Sequence, residues 1–394
     1  MAQAEDRSDS RDVLLALGGL VSLVVAMGIG RFIFTPILPD MEAALGWTKA
    51  DAGLVASANY LGYLIGALAA AWMALPGGAR RWFLIALLVS AMTTMASGLF
   101  TSLTPLLVVR FLGGLASAFV LVLASTLVLA RLTQRGRAEL FSLHFAGVGV
   151  GIALSGVLVG VLSAAGSGWS TFWTTGGIVS LAGCAFALWA VPAHDAGDVG
   201  GGAAVPARAT RFSRRVWQLV FSYGLFGFGY VILATFISAM VREAPEVRWL
   251  EVPIWVIVGL AAIPSVAFWS LVSARAGTGF AYAASAAMQA VGTALALTGS
   301  AAGLIFSAIT LGGSMVSLTA IGFLHAKTLT DQDGRVVLGL MTAAFGLGQV
   351  VGPLLAGVLA EATGSFSMAL VAASLSLALC AVLTPGGWPR RVAH

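Results

Sequence analysis

Twelve stretches of the chain are apolar for about the length of a bilayer-crossing helix, and that pattern restricts its fold more than any other feature. They run over 13–37, 51–74, 82–101, 104–130, 138–163, 169–192, 216–241, 251–273, 278–298, 301–324, 336–360 and 364–384. Each run is continuously apolar. The alternating segments of a membrane barrel, about 10 residues each, are absent. Only 9% of the residues are charged, against about 25% in a soluble domain. A mean hydropathy of +0.97 leaves too little polar surface to dissolve the chain in water. The expectation is an all-α membrane protein with 12 transmembrane helices.

The net charge of +5 invites comparison with nucleic-acid binders. The placement of the basic residues gives another reason for it. With the N-terminus in the cytoplasm, 16 of the 21 Lys and Arg residues fall on the cytoplasmic side and only Lys49, Arg242 and Arg248 fall outside. That asymmetry orients multi-pass proteins. It predicts cytoplasmic N- and C-termini, the bacterial inner membrane as location, the lipid bilayer as surroundings, and no nucleic-acid partner. The first twelve residues, "MAQAEDRSDSRD", lack the basic start of a signal peptide and read as a cytoplasmic tail.

One long polar connection, about 193 to 215, is rich in Gly, Ala and Pro and then basic. It reads as a flexible cytoplasmic linker. The expected organisation is therefore a tail at 1–12, a six-helix bundle at 13–192, the linker at 193–215, a second bundle at 216–384 and a tail at 385–394. The bundles look like repeats. At an offset of 199 residues, "GIGRFIF" at Gly28 falls on "GFGYVIL" at Gly227, and Gly147 and Gly149 fall on Gly346 and Gly348. "RFLGG" at Arg110 falls on "ITLGG" at Ile309. Parallel repeats of six helices with a site between the halves are a transporter architecture.

Five stretches, "GIGRFIFTPILPDM", "NYLGYLIGAL", "HFAGVGVGIALSG", "YGLFGFGYVILATF" and "GLGQVVGPLLAG", carry a further likeness. Through them the chain resembles the major facilitator superfamily over its whole length, and within it the YbfB/YjiJ-type family. The resemblance implies two pseudo-symmetric bundles rocking about a central site, and one chain acting as a monomer. The chain departs from the superfamily between its second and third runs. In "WMALPGGARRW", Gly78, Arg80 and Arg81 remain but the usual acid is missing. The Gly-Pro pattern of antiporters is found in the eleventh run, as Gly352 and Pro353, rather than in the fifth.

Two fixed charges interrupt the apolar runs. Arg31 lies in the first and Arg110 in the fourth, with no acid inside a run to pair with either. A guanidinium does not deprotonate to escape burial, and Arg at a helix centre costs at least about 2.5–3.5 kcal/mol on insertion scales. Each must therefore reach outward, bond carbonyls or Asp51, or face a cavity and attract an anion. Other polar candidates are Asn59 and Tyr63 on one face of the second run, Tyr223 and Tyr230 in the seventh, and Gln349 in the eleventh. Each is equally suited to bonding a neighbouring helix. The expected substrate-binding set is Arg31, Arg110, Asn59, Tyr63, Tyr223, Tyr230 and Gln349. His144, in the fifth run, is the candidate proton carrier because histidine titrates near 6.5; its alternative is a packing role. His325 is expected to be solvated at a helix end.

Cys184 and Cys380 have no metal or disulfide spacing. "GIGRFIF" and "GVGVGIALSG" follow no strand and lack the Lys and Ser/Thr of a phosphate loop. No cofactor or metal is expected. A membrane enzyme would need carboxylate pairs or clustered histidines, and the four histidines are scattered. The expected function is secondary active transport of a small organic anion, coupled to protons. The alternative is proton-coupled efflux of apolar or cationic compounds, which makes the opposite demand on Arg31.

Overall fold

The computed structural model describes residues 2–73, 75–137, 140–191, 212–330 and 334–388, and these residues form helices joined by short turns, with no strand among them. The expected linker, up to residue 211, and the end of the C-terminal tail from residue 389 lie outside the described residues. The first half holds α1 (Ala2–Leu23), a π-helical turn (Val24–Ile29), α2 (Phe34–Leu45), α3 (Lys49–Trp72), α4 (Ala79–Ala96), α5 (Leu103–Gln134), α6 (Phe141–Ala164) and α7 (Trp169–Ala190). The second holds α8 (Arg214–Glu243), α9 (Glu251–Ala262), α10 (Ser265–Ala276), α11 (Thr278–Ala296), α12 (Ala301–Met315), α13 (Ser317–Leu329), α14 (Gly334–Thr363) and α15 (Ser367–Leu383).

Among the described residues, 9 helical stretches are long and apolar enough to cross a membrane, or 10 if the pair Pro245–Ala262 and Ser265–Ala276 is one span. The other two expected runs fall on α11, of 19 residues, and α15, of 17 residues. Three runs differ from their expected shape. The first continues to Leu45 and is broken in its middle. The eighth bends by 42° between α9 and α10, where Pro264 offers no N–H to the preceding turn. The tenth is interrupted at Val316. By contrast Pro353 lies inside α14 without ending it.

Small residues let the helices meet backbone to backbone, as membrane packing favours. A Cβ on Gly28 would lie 2.3 Å from Gly151 Cα, so α6 crosses the π-turn in direct contact. Gly114 of α5 presses on Asn59 O of α3. In the second half Gly312 of α12 presses on Val258 O of α9, the residue at the repeat position of Asn59. The repeat also meets itself across the interface. Thr35 Oγ1 donates to Ala234 O at 2.7 Å, and these residues are 199 apart.

The ends of the helices opposite the termini are tied across the halves. Arg242 makes a bidentate pair with Asp40, at 3.0 and 3.1 Å, and also pairs with Glu251. Lys49 bonds Glu42 at 2.7 Å and pairs with Glu243. Ala50 N donates to Glu361 at 3.3 Å, and Ser57 Oγ donates to Val350 O at 2.7 Å. At the opposite end the bonds of Arg80 to Val191 O, Asp12 to Arg135 and His325 to Pro385 O each stay within one half.

Candidate functional site

The site is built around the break in the first span. Gly30 N bonds Val25 O at 2.8 Å and Phe32 N bonds Met27 O at 3.1 Å, both across five residues, so the turn is widened into a π-bulge. Thr35 N then bonds Phe32 O at 3.2 Å. The ladder thus skips the carbonyls of Gly30 and Arg31. In lipid such groups need another partner, and Arg110 supplies it. Its Nη1 donates to Gly30 O and its Nη2 to Arg31 O, each at 3.2 Å. Its guanidinium also lies 5.2 Å from the Phe34 ring and 5.1 Å from the Trp173 ring. Of the options open to it, Arg110 takes the carbonyls.

Arg31 takes none. It is 4% exposed, and its Nε and Nη2 have no hydrogen-bond partner. Asp51 does not reach it, because that carboxylate closes a capping box with Thr48 at the start of α3. The guanidinium instead rests on aromatic faces, 3.8 Å from the Tyr63 ring centre, 4.6 Å from Tyr60 and 5.5 Å from Phe32. Cation–π contact of this kind stabilises a desolvated guanidinium by about 2 kcal/mol. It covers the faces of the plane. The free atoms, Nε and Nη2, form one edge of it, the edge that fits both oxygens of a carboxylate.

The other half brings Tyr230, the repeat counterpart of Arg31, within electrostatic reach of Arg31, Tyr60 and Tyr63. Tyr230 stacks on Phe226 at 5.0 Å and is nearly parallel to Phe345 at 5.8 Å. Tyr223 stacks on Phe345 at 4.9 Å. Gln349 donates its Nε2 to the Tyr230 hydroxyl and leaves Oε1 buried without a partner. The structure therefore gathers Arg31, Tyr63, Tyr223, Tyr230 and Gln349 at the interface between halves.

It turns the other candidates elsewhere. Asn59 donates Nδ2 to Arg110 O at 2.9 Å, joining α3 to α5. His144 is fully buried among Gly19, Ser125 and Val128, with Nε2 3.0 Å from Ser125 Oγ. His325 is not solvated; it is 4% exposed. Its Nε2 donates to Pro385 O and its Nδ1 accepts from Thr278 Oγ1, both at 2.8 Å, so it staples three helix ends together. Sequence reasoning passed over Phe226 and Phe345. Each lies four residues before a chosen residue, Tyr230 and Gln349, and so shares its helix face; that spacing was the available signal. Among the described residues no group of three or more metal-ligating side chains is found.

Residues 23–385 match the family described as "Uncharacterised MFS-type transporter YbfB". A gallate transporter of Pseudomonas putida is 30% identical over 156 residues, which cover 40% of this chain and 34% of that protein. The chain thus aligns with about a third of that relative's length. The fold is similar to that of a mutant of the nucleoside transporter NupG. There the TM-score is 0.74 at 16% identity, over 96% of this chain and 100% of that one. It is also similar to a bacterial homologue of the human lysosomal transporter Spinster in an inward-facing and occupied conformation. That likeness has a TM-score of 0.72 at 15% identity, over 94% and 95% of the two chains. With a family match along nearly its whole length and this helical architecture, the chain belongs to the YbfB-type family of major facilitator superfamily transporters.

Proposed function

We propose that the protein is a secondary active transporter that moves a small organic anion across the bacterial inner membrane, coupled to protons, by rocking its two halves about Arg31. In this reading the chain crosses the membrane twelve times and keeps both termini in the cytoplasm. The observation that carries the proposal is the edge of Arg31. A permanent charge is buried with two donors side by side and nothing bonded to them. Leaving donors of a charged group unsatisfied is costly, and an anionic cargo removes that cost on binding. The gallate transporter relative supports an organic anion. A cationic cargo would meet Arg31 as a repelling charge, which disfavours efflux of cationic compounds.

The test is a pair of substitutions. Arg31→Lys keeps the charge but loses the planar fork, and anion binding is expected to weaken by about 1–3 kcal/mol, the scale of a charged hydrogen bond. Arg31→Gln is expected to abolish binding and uptake in proteoliposomes while the protein keeps its thermal stability, because its repeat counterpart is the neutral Tyr230. Native-rate anion transport by a stable Gln variant would refute the reading. For coupling, His144 is the proposed proton carrier. His144→Gln should then lose accumulation driven by a pH gradient and keep counterflow exchange; undiminished uphill uptake would remove His144 from the mechanism.

A further inference from the structure

Away from the interface between the halves, we propose that the corner where α4 begins and α7 ends binds an anionic phospholipid, with Arg81 on the headgroup phosphate and the exposed faces of the two helices along the acyl chains. α4 and α7 pack side by side: Gly177 presses on Met95, and Cys184 Sγ lies 3.5 Å from Leu87 O. Each is only 33% buried, the lowest share among the apolar spans. On α4, Arg81 heads a stripe of exposed residues, Ile85, Leu88 and Met92, at the three- and four-residue spacing of one helix face. On α7 the exposed residues at this end are Leu188 and Trp189. In a bilayer, exposed apolar side chains ending in a charge and a tryptophan place that charge and tryptophan among the headgroups.

The corner is more basic than its own structure requires. Arg80 Nε donates to Val191 O at 2.9 Å and its Nη2 to Leu188 O at 3.3 Å, which closes the last turn of α7. Arg81, the next residue, lies over Gly77 and pairs with no acid among the described residues. Arg131 stands within electrostatic reach of Arg80 and of Arg135. Asp12 is paired with Arg135 and so does not neutralise Arg81. A phosphodiester can meet a guanidinium with two oxygens, and each arginine near the membrane surface favours a headgroup of net negative charge.

The second half builds the same corner without charge. At the offset of 199, Arg80 and Arg81 fall on Gly279 and Phe280. Gly279 presses directly on Gly386 O and Pro385 O, and Phe280 meets Trp388 edge to face at 6.4 Å. Joining α11 to the end of α15 thus needs no guanidinium, and folding alone does not account for Arg81. The anionic lipid is accordingly expected on the first half.

The test is lipid binding to the full chain in detergent micelles, read by native mass spectrometry, with dioleoyl phosphatidylglycerol and dioleoyl phosphatidylcholine as probes. The unmodified protein is expected to bind phosphatidylglycerol more tightly than phosphatidylcholine. Arg81→Gln should weaken phosphatidylglycerol by about fivefold, the weight of one basic group at a membrane surface, and leave phosphatidylcholine unchanged. Arg275→Gln removes an exposed charge from the second half and should change neither. Inorganic phosphate in excess should not displace the lipid; displacement would assign the corner to a soluble anion and overturn the proposal. Equal affinity of the unmodified protein for the two lipids overturns it too, whether or not the variants fold. So does an Arg81→Gln variant that holds phosphatidylglycerol as tightly as the unmodified protein, or an equal loss in Arg275→Gln, which would mean diffuse charge rather than a site. None of these outcomes bears on the anion reading of Arg31.

Discussion

Two arginines with similar surroundings in the sequence have opposite fates in the structure. Both interrupt apolar runs and both lack an acid at helical spacing. Arg110 reaches carbonyls 79 and 80 residues away in sequence, while Arg31 is left with two free donors over a pair of tyrosines. This division makes a prediction for Arg110. Removing its fork strands Gly30 O and Arg31 O inside the protein, at about 1–3 kcal/mol for each unsatisfied group. Arg110→Met should lower the apparent melting temperature in detergent, and Arg110→Lys should recover only part of it, because an ammonium does not span two carbonyls as a guanidinium does. A variant as stable as the native protein that has lost only substrate affinity would instead make Arg110 a cargo ligand. The residues themselves, Arg31, Tyr63, Tyr230 and Gln349, were legible in the sequence as polar groups in apolar runs. Their partners were not, because a hydrogen bond joins two segments and hydropathy describes one.

At the scale of the helix, the break in the first span decides what the site presents. No proline lies between Val24 and Ile33, but Pro36 offers no N–H to the carbonyl of Phe32 four residues before it, which weakens the helix there. The π-turn forms where Gly28 and Gly30 allow α6 and Ser90 to press on the backbone. Gly28 and Gly151 touch so closely that a single methyl on Gly28 has no room, with its Cβ placed 2.3 Å from the facing Cα. Gly28→Ala is therefore expected to destabilise the protein by about 1–3 kcal/mol, as overpacking does in a close-packed interior. Gly151→Ala should act on the same contact, and the double variant should cost less than the sum of the two. Thermal unfolding of the three variants checks this; additive losses would show that the contact is not shared. The expected spans were right in kind and wrong at their edges for a physical reason. Polar residues such as Asp40 and Glu42 end an apolar run on a hydropathy scale, yet α2 carries on through them because their partners, Arg242 and Lys49, arrive from other segments.

At the scale of the whole molecule, the ion pairs of Asp40 with Arg242 and of Lys49 with Glu243 join the two halves at the end away from the termini. These part-buried pairs belong to the arrangement of the halves seen here, and the proposed rocking would part them. Their weight falls on the equilibrium between states. Arg242→Gln removes the bidentate partner of Asp40 and one partner of Glu251. It is expected to lengthen the distance between spin labels at positions 47 and 246 in a growing fraction of molecules, and raised salt should do the same in the native protein. Label distances unchanged by both the substitution and salt would show that these pairs do not hold the closed end.

The sequence alone determined that the chain is a set of apolar helices in two similar halves. Crossing a bilayer is a property of each run by itself, and a repeat is visible wherever its glycines recur. Tertiary structure alone decided which buried arginine is spent on backbone and which keeps two donors without a partner. It also decided that His325 is a staple rather than a solvated end, and that Phe226 and Phe345 line the interface. Those outcomes depend on which distant groups come within about 3–4 Å of each other, and in a chain with few polar residues each such pairing is settled by the packing of small residues that the sequence records only one at a time.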